Sequence, residues 1–249
     1  MIVYGINPVL EALRARKVRR LRVGARSDKR MDEILALAGA QHVPVERADA
    51  PALDRAARGG VHQGVLAEVE DAHDYSVEEL VAAGGDGTGP APLIVVLDGI
   101  EDPHNVGAIL RTCDAAGATG VIRQTRHSAA LDGVVAKASA GALASVRIAT
   151  VVNIARAIEA LKSANVWTIG LAGDAGEDYT EVDWTTPSAM VLGAEGAGMR
   201  RLVRESCDRV VRIPVFGAVG SLNVSVAAAV VLYEAVRQRE DGAVRQGRR

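Results

Sequence analysis

Three short polar stretches carry side chains that could bind and orient a small ligand. They are DGIEDPHNVGAILRT (98–112), LGAEGAGMRR (192–201) and VFGAVGSLNVS (215–225), and each separates a predicted strand from a predicted helix. Glycine-rich loops and helix amino ends gather backbone amides at the carboxyl ends of parallel strands, where open α/β sheets bind their ligands. The sequence therefore predicts one site built from all three stretches.

Each stretch is ambiguous when taken alone. Ser221 and Asn223 are residue types that commonly cap helices, and the glycines of the second stretch can serve loop geometry only. Glu195 can be a solvated loop acid, and Arg111 can form an i,i+3 ion pair with Asp114 or none at all. The chemical interpretation thus depends on the three stretches occurring together.

Hydrophobic patterning assigns residues 1–70 to a small α/β domain. Short apolar strands alternate with helices that are predicted to start at Asn7-Pro8, Asp32 and Pro51. VHQGVLAEVE (61–70) is predicted to be the last strand of this domain. This alternation is typical of a small layered unit.

The amino-acid composition changes at residue 71 and again at residue 93. Residues 71–92 combine an acidic segment, one possible short helix and the run GGDGTGPAP, whose glycine and proline density predicts a flexible joint. In residues 93–249, runs such as LIVVL (93–97) predict buried strands of a parallel sheet between helices. A long apolar helix is predicted from Leu222 to Arg239.

Composition limits the class of protein. With 249 residues, 49% of them hydrophobic, the chain can bury one or two substantial cores. No apolar run approaches the ~20 residues that a membrane span needs, and the amino terminus lacks a signal pattern, which predicts a soluble cytoplasmic protein without a membrane partner. Cys113 and Cys207 have no cysteine or histidine neighbours at metal-ligand spacing, which predicts reduced thiols and no metal site.

The net charge of −2 conceals an asymmetry along the chain. Residues 14–30 (RARKVRRLRVGARSDKR) hold nine Lys/Arg and one acid, whereas residues 71–110 hold eight acids and no Lys/Arg. Such a block is often only a solvated face, but its density suits a phosphate-binding patch. The block predicts a nucleic-acid partner, with Arg19, Arg20 and Arg22 as the contact residues.

Together, NVGAILRT (105–112), VLGAEGAGM (191–199) and IPVFGAVGSLNVSVAAAVVLYEAV (213–236) resemble the three motifs of the SpoU (TrmH-type) RNA 2′-O-ribose methyltransferases of the SPOUT superfamily. The resemblance covers nearly the whole chain. YGINPVLEAL and GVHQGVLAEV are similar to the N-terminal substrate domain of members that methylate a guanosine in the peptidyl-transferase region of 23S rRNA. The resemblance implies that S-adenosylmethionine is the cofactor and 23S rRNA the partner.

The resemblance also implies a fold, which none of the sequence patterns shows. The C-terminal domain would be a SPOUT-type parallel sheet threaded into a trefoil knot with flanking helices, an exception to the rule that chains avoid knots. The N-terminal substrate-binding domain would be a small α/β fold like that of a ribosomal protein. Related enzymes form homodimers through the knotted domain, across its last helix.

The family's functional residues transfer to this chain one by one. Asn105 and Arg111 match the asparagine and arginine of the first motif, Glu195 matches the acid of the second, and Ser221 and Asn223 match the Ser-Leu-Asn of the third. The resemblance thereby implies that these five residues form the catalytic set.

Cofactor contacts are implied for backbone groups. Gly193, Ile213 and Leu222 match positions that hold S-adenosylmethionine in the family, and no metal is implied. Gly220 departs from the pattern, since relatives often carry a polar or acidic residue there.

The implied reaction is an in-line displacement in which a ribose 2′-hydroxyl attacks the sulfonium methyl group, so positioning contributes much of the rate. Arg111 matches the family's proposed activator, but a guanidinium stays protonated in proteins and is a poor general base. We therefore expect Arg111 to stabilise the developing oxyanion and to grip a phosphate. Asn105 and Asn223 would orient the ribose and Arg111, while Glu195 would fix the guanidinium or its own loop.

Other functions remain possible from the sequence alone. A Rossmann-type oxidoreductase needs a G-x-G-x-x-G turn after the first strand, which LDGIEDPHNVGA does not supply. A non-catalytic RNA-binding or ribosome-assembly protein could keep the same motifs. A methyltransferase acting on tRNA or another rRNA site would also share them.

Overall fold

The computed structural model describes residues 2–69, 73–85 and 90–246. These residues form two compact units. The first contains the described residues up to 69 together with 106–111 and 129–145, and the second contains 73–105, 112–128 and the chain from 146 onward. Two short segments that follow the predicted joint thus group with the N-terminal part of the chain.

The N-terminal part of the chain alternates strands and helices, as the sequence predicts. Its elements are β1 (Ile2–Tyr4), α1 (Ile6–Arg14), β2 (Val18–Val23), α2 (Lys29–Ala40), β3 (Val45–Arg47), α3 (Ala50–Ala57) and β4 (Val65–Val69). The four strands form one sheet in the order β1-β4-β2-β3, with β2 and β3 parallel and the other pairs antiparallel. Val9 and Leu13 of α1 and Leu21 of β2 are fully buried, as expected for the apolar faces of these elements.

The rest of the chain supplies a larger set of elements. They are α4 (Val77–Ala82), β5 (Leu93–Asp98), α5 (Pro103–Ala115), β6 (Gly120–Gln124), α6 (Gly133–Ala138), β7 (Ile148–Val151), α7 (Ile154–Ser163), β8 (Trp167–Leu171), β9 (Glu177–Asp178), β10 (Ser188–Gly193), α8 (Arg201–Ser206), β11 (Arg209–Arg212) and α9 (Val224–Gln246). Sequence patterns did not predict β1, α6, β7 or β9. β1 and β9 are too short to show a period, and the Ala/Val-rich stretch around α6 and β7 fits either period.

The second unit is built on a seven-stranded sheet in the order β7-β6-β5-β10-β8-β11-β9. Every pair of neighbours runs parallel, which confirms the predicted parallel sheet. Ile94, Val96 and Ile122 are fully buried on one face of it, as apolar runs on parallel strands require. The trefoil knot concerns the threading of this sheet and stays a prediction.

Part of the segment predicted as a flexible joint is packed structure. Ser76 and Glu79 close a capping box at the start of α4, and Val77 and Leu80 are buried in the core of the second unit. Asp74 extends the sheet edge by a bridge to β7. Residues 86–89 of the glycine-rich run lie outside the described residues.

The last helix is longer than predicted. It starts at Val224, after Asn223, and continues to Gln246, whereas the sequence predicted an end at Arg239. Arg239 anchors this helix, because its guanidinium donates to the carbonyls of Ala91 at 2.6 Å and Trp184 at 2.8 Å. None of the helices in the described ranges combines the length and apolar character that crossing a membrane requires.

Candidate active site

A cleft of about 830 Å³ opens at the carboxyl ends of β8, β10 and β11. Its walls come from the loops that follow these three strands, including residues 171–174, 193–196 and 219–222. This is the edge at which a parallel sheet presents loops and helix amino ends, so the fold itself creates the concavity. A volume of this size suits a small-molecule ligand.

The three residues predicted to hold a cofactor through their backbones all line the cleft. They are Gly193, Ile213 and Leu222. A side chain at Gly193 has no room, since a Cβ there would lie 2.1 Å from both the carbonyl carbon of Gly198 and the nitrogen of Met199. The backbone groups of Ile213 and Leu222 form no backbone hydrogen bond within the described ranges, which leaves them available to a ligand.

One side chain from each polar stretch enters a single hydrogen-bonded cluster beside the cleft. Asn105 is 6% exposed, and its Nδ2 donates to Oε2 of Glu195 at 3.2 Å. Asn223 donates from its own Nδ2 to Oδ1 of Asn105 at 3.0 Å. Because the carboxylate of Glu195 can only accept, the amide of Asn105 must face it and leave its oxygen for Asn223.

Asn223 has two roles at the start of α9. Its Oδ1 accepts hydrogen bonds from the backbone nitrogen of Ser225 at 2.9 Å and from the hydroxyl of Ser225 at 2.6 Å, as a helix cap does. Its amide nitrogen meanwhile bonds Asn105. The polar opening of an otherwise apolar helix therefore both caps the helix and fixes the cluster.

Two predicted catalytic residues, Ser221 and Arg111, form no hydrogen bond with this cluster. Ser221 lines the cleft and is exposed, and its hydroxyl has no hydrogen bond within the described ranges. Arg111 lies on α5, six residues beyond Asn105, and is exposed. Its guanidinium forms no ion pair with the part of the chain that the structure describes. Glu195 bonds Asn105 and not Arg111. Of the two roles expected for Glu195, this contact favours fixing its own loop over fixing the guanidinium.

An ion pair between the buried carboxylate of Asp98 and the half-exposed side chain of Arg200, which no sequence pattern predicted, fixes the far end of the Glu195 loop. The side chain of Asp98 is fully buried, and it accepts from the backbone nitrogen of Arg200 at 2.8 Å and from its Nε at 2.7 Å. Arg200 also donates to Gln124 at 2.7 Å. The only signal in the sequence was an acid at the end of an apolar strand, LIVVLD.

The three predicted RNA contacts lie on β2 of the first unit. Arg19 and Arg20 are exposed. The side chain of Arg22 is 30% exposed and bonds Glu68 at 2.7 Å, with Glu46 3.6 Å away. Glu46 also lies 3.9 Å from Arg20. Much of the charge that looked unopposed along the chain therefore meets acids from neighbouring strands.

The two cysteines are not candidates for nucleophilic chemistry. Burial raises the pKa of both Cys113 and Cys207 to about 12, so both remain protonated thiols at neutral pH. Within the described ranges, no group of three or more His, Cys, Asp or Glu residues is arranged to hold a metal ion.

Two family descriptions match the chain. The SpoU rRNA Methylase family matches residues 92–233, and the description "RNA 2'-O ribose methyltransferase substrate binding" matches residues 2–75. The first match alone spans more than half of the chain and contains all three polar stretches.

Relatives and solved structures agree with this match. The 23S rRNA (guanosine-2'-O-)-methyltransferase RlmB of Pseudomonas putida is 45% identical, over 96% of this chain and 96% of the relative. RlmB of Yersinia pestis is 42% identical, over 96% and 97%. The crystal structure of the SpoU methyltransferase AviRb from Streptomyces viridochromogenes, in complex with the cofactor AdoMet, matches with a TM-score of 0.80 at 28% identity, over 97% of this chain and 91% of that chain.

Proposed function

Since the chain belongs to the SpoU rRNA methylase family, we propose that it transfers a methyl group from S-adenosylmethionine to the ribose 2′-hydroxyl of a guanosine in 23S rRNA. The observation that carries this proposal is the cluster of Asn105, Glu195 and Asn223 at the edge of the cleft. The guanosine and the 23S rRNA come from the RlmB relatives, which align with this chain over nearly its whole length.

The cleft fits S-adenosylmethionine. We infer that the close-packed backbone at Gly193 and the unbonded backbone groups of Ile213 and Leu222 bind it, with Leu171 and Leu192 providing apolar contact. When bound, S-adenosylmethionine supplies a methyl group activated by its positively charged sulfur. Because that charge is lost during transfer, no metal ion is needed to neutralise the product.

The protein's own residues then have to orient the ribose and stabilise the negative charge that develops as the 2′-hydroxyl loses its proton. Asn105 is buried and held by two partners, so its position is fixed before the RNA arrives, which favours in-line attack. Arg111 is exposed and unpaired within the described ranges, so its guanidinium can meet the developing oxyanion and an adjacent phosphate. Ser221, with an unbonded hydroxyl at the cleft, can contact the ligand directly.

A methylation assay tests the proposed function. The purified protein and labelled S-adenosylmethionine are incubated with 23S rRNA, 16S rRNA and tRNA from cells that lack the protein, and 2′-O-methyl nucleotides are then mapped. We expect label at one guanosine in the peptidyl-transferase region of 23S rRNA. Label in tRNA or elsewhere in rRNA would retain the chemistry and refute the substrate. A folded protein that neither binds S-adenosylmethionine nor labels any RNA would favour a non-catalytic RNA-binding protein.

We further propose that the N-terminal domain, predicted as residues 1–70, binds the RNA through β2. Reversing the charge of both Arg19 and Arg20 to glutamate is expected to weaken 23S rRNA binding about tenfold or more, since phosphate contacts dominate such affinities. The slope of log affinity against log salt should fall by one to two, as binding curves at several salt concentrations would show.

Arg22 serves as the contrasting position. Its side chain is only 30% exposed and bonds Glu68 at 2.7 Å, with Glu46 3.6 Å away, so Arg22→Glu places three acids together and is expected to lower the melting temperature more than it changes the salt slope. Affinity for S-adenosylmethionine should be unchanged in the Arg19/Arg20 double variant. A double variant that binds RNA with wild-type affinity would contradict the proposed contact.

Homodimerisation through α9 is also proposed. Val226 and Tyr233 are 47% and 52% exposed on this helix, and Phe216 and Val219 of the preceding loop are 97% and 65% exposed. Exposed apolar residues at this density suit an interface between subunits. Sedimentation equilibrium is expected to give twice the chain mass, and a monomer at micromolar concentration would refute the proposal. Because the proposed substrate is rRNA, we also propose that the protein acts in the cytoplasm.

A further inference from the structure

Arg123 occupies an unusual place in the parallel sheet. It is the fourth residue of β6, and it pairs in register with Leu97 of β5, which in turn pairs with Leu192 of β10. Residues paired in this way project from the same face of a sheet, so Arg123 shares a face with Leu192, which lines the cleft. Two interstrand spacings separate β6 from β10, or about 10 Å.

The side chain of Arg123 is buried, with a residue exposure of 8%. Its buried Nε has no hydrogen-bond partner in residues 2–69, 73–85 and 90–246. Within the described ranges its guanidinium forms no ion pair. Asp74 attracts its charge, but this exposed residue at the sheet edge already accepts a hydrogen bond from the backbone nitrogen of Thr150 at 2.8 Å.

An unpaired buried guanidinium destabilises a folded protein. Desolvation lowers the pKa of Arg123, and the attraction of Asp74 opposes this effect only in part. Replacing such a group by an apolar side chain of similar length is often neutral or stabilising. Within the part of the chain that the structure describes, no partner gives a structural reason for a cation at this position, whereas a ligand with negative oxygens would supply one.

We propose that Arg123 binds a phosphate of the RNA substrate, next to the nucleotide that is methylated. The proposal rests on the proposed function, because the RNA has to reach the cleft to be modified. An arginine fork matches two oxygens of a phosphodiester, and such charge-assisted bonds are strongest where water is excluded. Arg126, exposed in the loop after β6, adds positive charge at the same edge of the sheet.

The test compares Arg123→Met with a matched control, Arg147→Met. Arg147 precedes β7 at the amino end of the strands, is exposed, and donates a long hydrogen bond of 3.5 Å to the carbonyl of Thr119. Both variants lose one positive charge, but only the first removes the buried guanidinium. Binding to a 23S rRNA transcript is measured at several salt concentrations, together with the melting temperature and the affinity for S-adenosylmethionine.

For Arg123→Met we expect an equal or higher melting temperature, unchanged cofactor affinity and RNA affinity about tenfold lower. The slope of log affinity against log salt should fall by about 0.7, the value for one phosphate contact on a single strand. Arg147→Met should leave RNA affinity unchanged. Arg123→Lys, which keeps the charge without the fork, should recover part of the affinity.

Two results would overturn the inference. One is wild-type RNA affinity and salt slope in Arg123→Met. The other is a clear fall in melting temperature with all RNA parameters unchanged in both Arg123 variants, which would assign the guanidinium a structural role. Failure of the proposed function is distinguishable, because the wild-type protein would then not methylate 23S rRNA at all.

Discussion

Replacing Arg111 by alanine is expected to lower kcat for methyl transfer by about 10²–10³-fold, the usual effect of removing one donor that stabilises an oxyanion. The affinity for S-adenosylmethionine should change little, because Arg111 is not among the residues lining the cleft. The melting temperature should also be unchanged, since the side chain is exposed and has no ion pair within the described ranges to lose. Single-turnover assays with 23S rRNA would measure the chemical step separately from RNA binding.

One further variant tests whether the positive charge of residue 111 is sufficient, and a second serves as a control. Arg111→Lys should keep a measurable part of the activity if positive charge is what the reaction needs. Arg156→Ala removes another exposed helical arginine, on α7, and should leave kcat unchanged. Full activity of Arg111→Ala would refute the assigned role, and a loss of cofactor binding in that variant would indicate misfolding instead.

Local patterns were sufficient to predict the frame of the site. The apolar run 93–97 gave a central parallel strand, and the three polar stretches were expected at the carboxyl edge because each follows a strand. Helix capping was likewise visible, since Asn223 is a residue type that favours that position and it caps α9 in the structure. These features depend on neighbours only a few residues apart.

Pairings between distant residues could not be predicted in this way. Asp98 and Arg200 are 102 residues apart, and nothing near either of them indicates the partner. The basic block appeared unopposed because Glu46 and Glu68 approach Arg22 only after β3 and β4 pair with β2. Charge counted along a chain overestimates the field of a folded surface whenever acids lie on the adjacent strands.

The polar start of α9 combines a local feature that the sequence shows with a distant contact that it does not show. A sequence can show that Asn223 suits a helix cap, but the cap uses only its oxygen. Its amide nitrogen remains as a donor, and the fold directs that donor to Asn105 on a helix 118 residues earlier in the chain. Helix stability and site geometry thereby depend on one side chain, so Asn223→Asp, which removes the amide donors, should loosen the cluster while the cap remains.

Replacing Gly193 by alanine is expected to abolish measurable S-adenosylmethionine binding, with an affinity at least about 100-fold lower. The new Cβ would lie 2.1 Å from the carbonyl carbon of Gly198 and from the nitrogen of Met199. Both are backbone atoms, so the loop that carries Glu195 has to move away from the cleft. Overpacking of this kind also lowers the free energy of unfolding by about 1–3 kcal/mol.

Gly217→Ala is the matched control, because Gly217 belongs to the glycine loop after β11, its φ is not positive, and a Cβ there meets no atom within 4 Å. Calorimetric titration with S-adenosylmethionine should give the control an affinity within about twofold of wild type, since a methyl group in open space costs little. Gly193→Ala should still melt cooperatively, because the core strands on either side of it keep their packing. Wild-type cofactor affinity in Gly193→Ala would show that the loop can move at no cost, and close backbone approach would then not be what holds the cofactor.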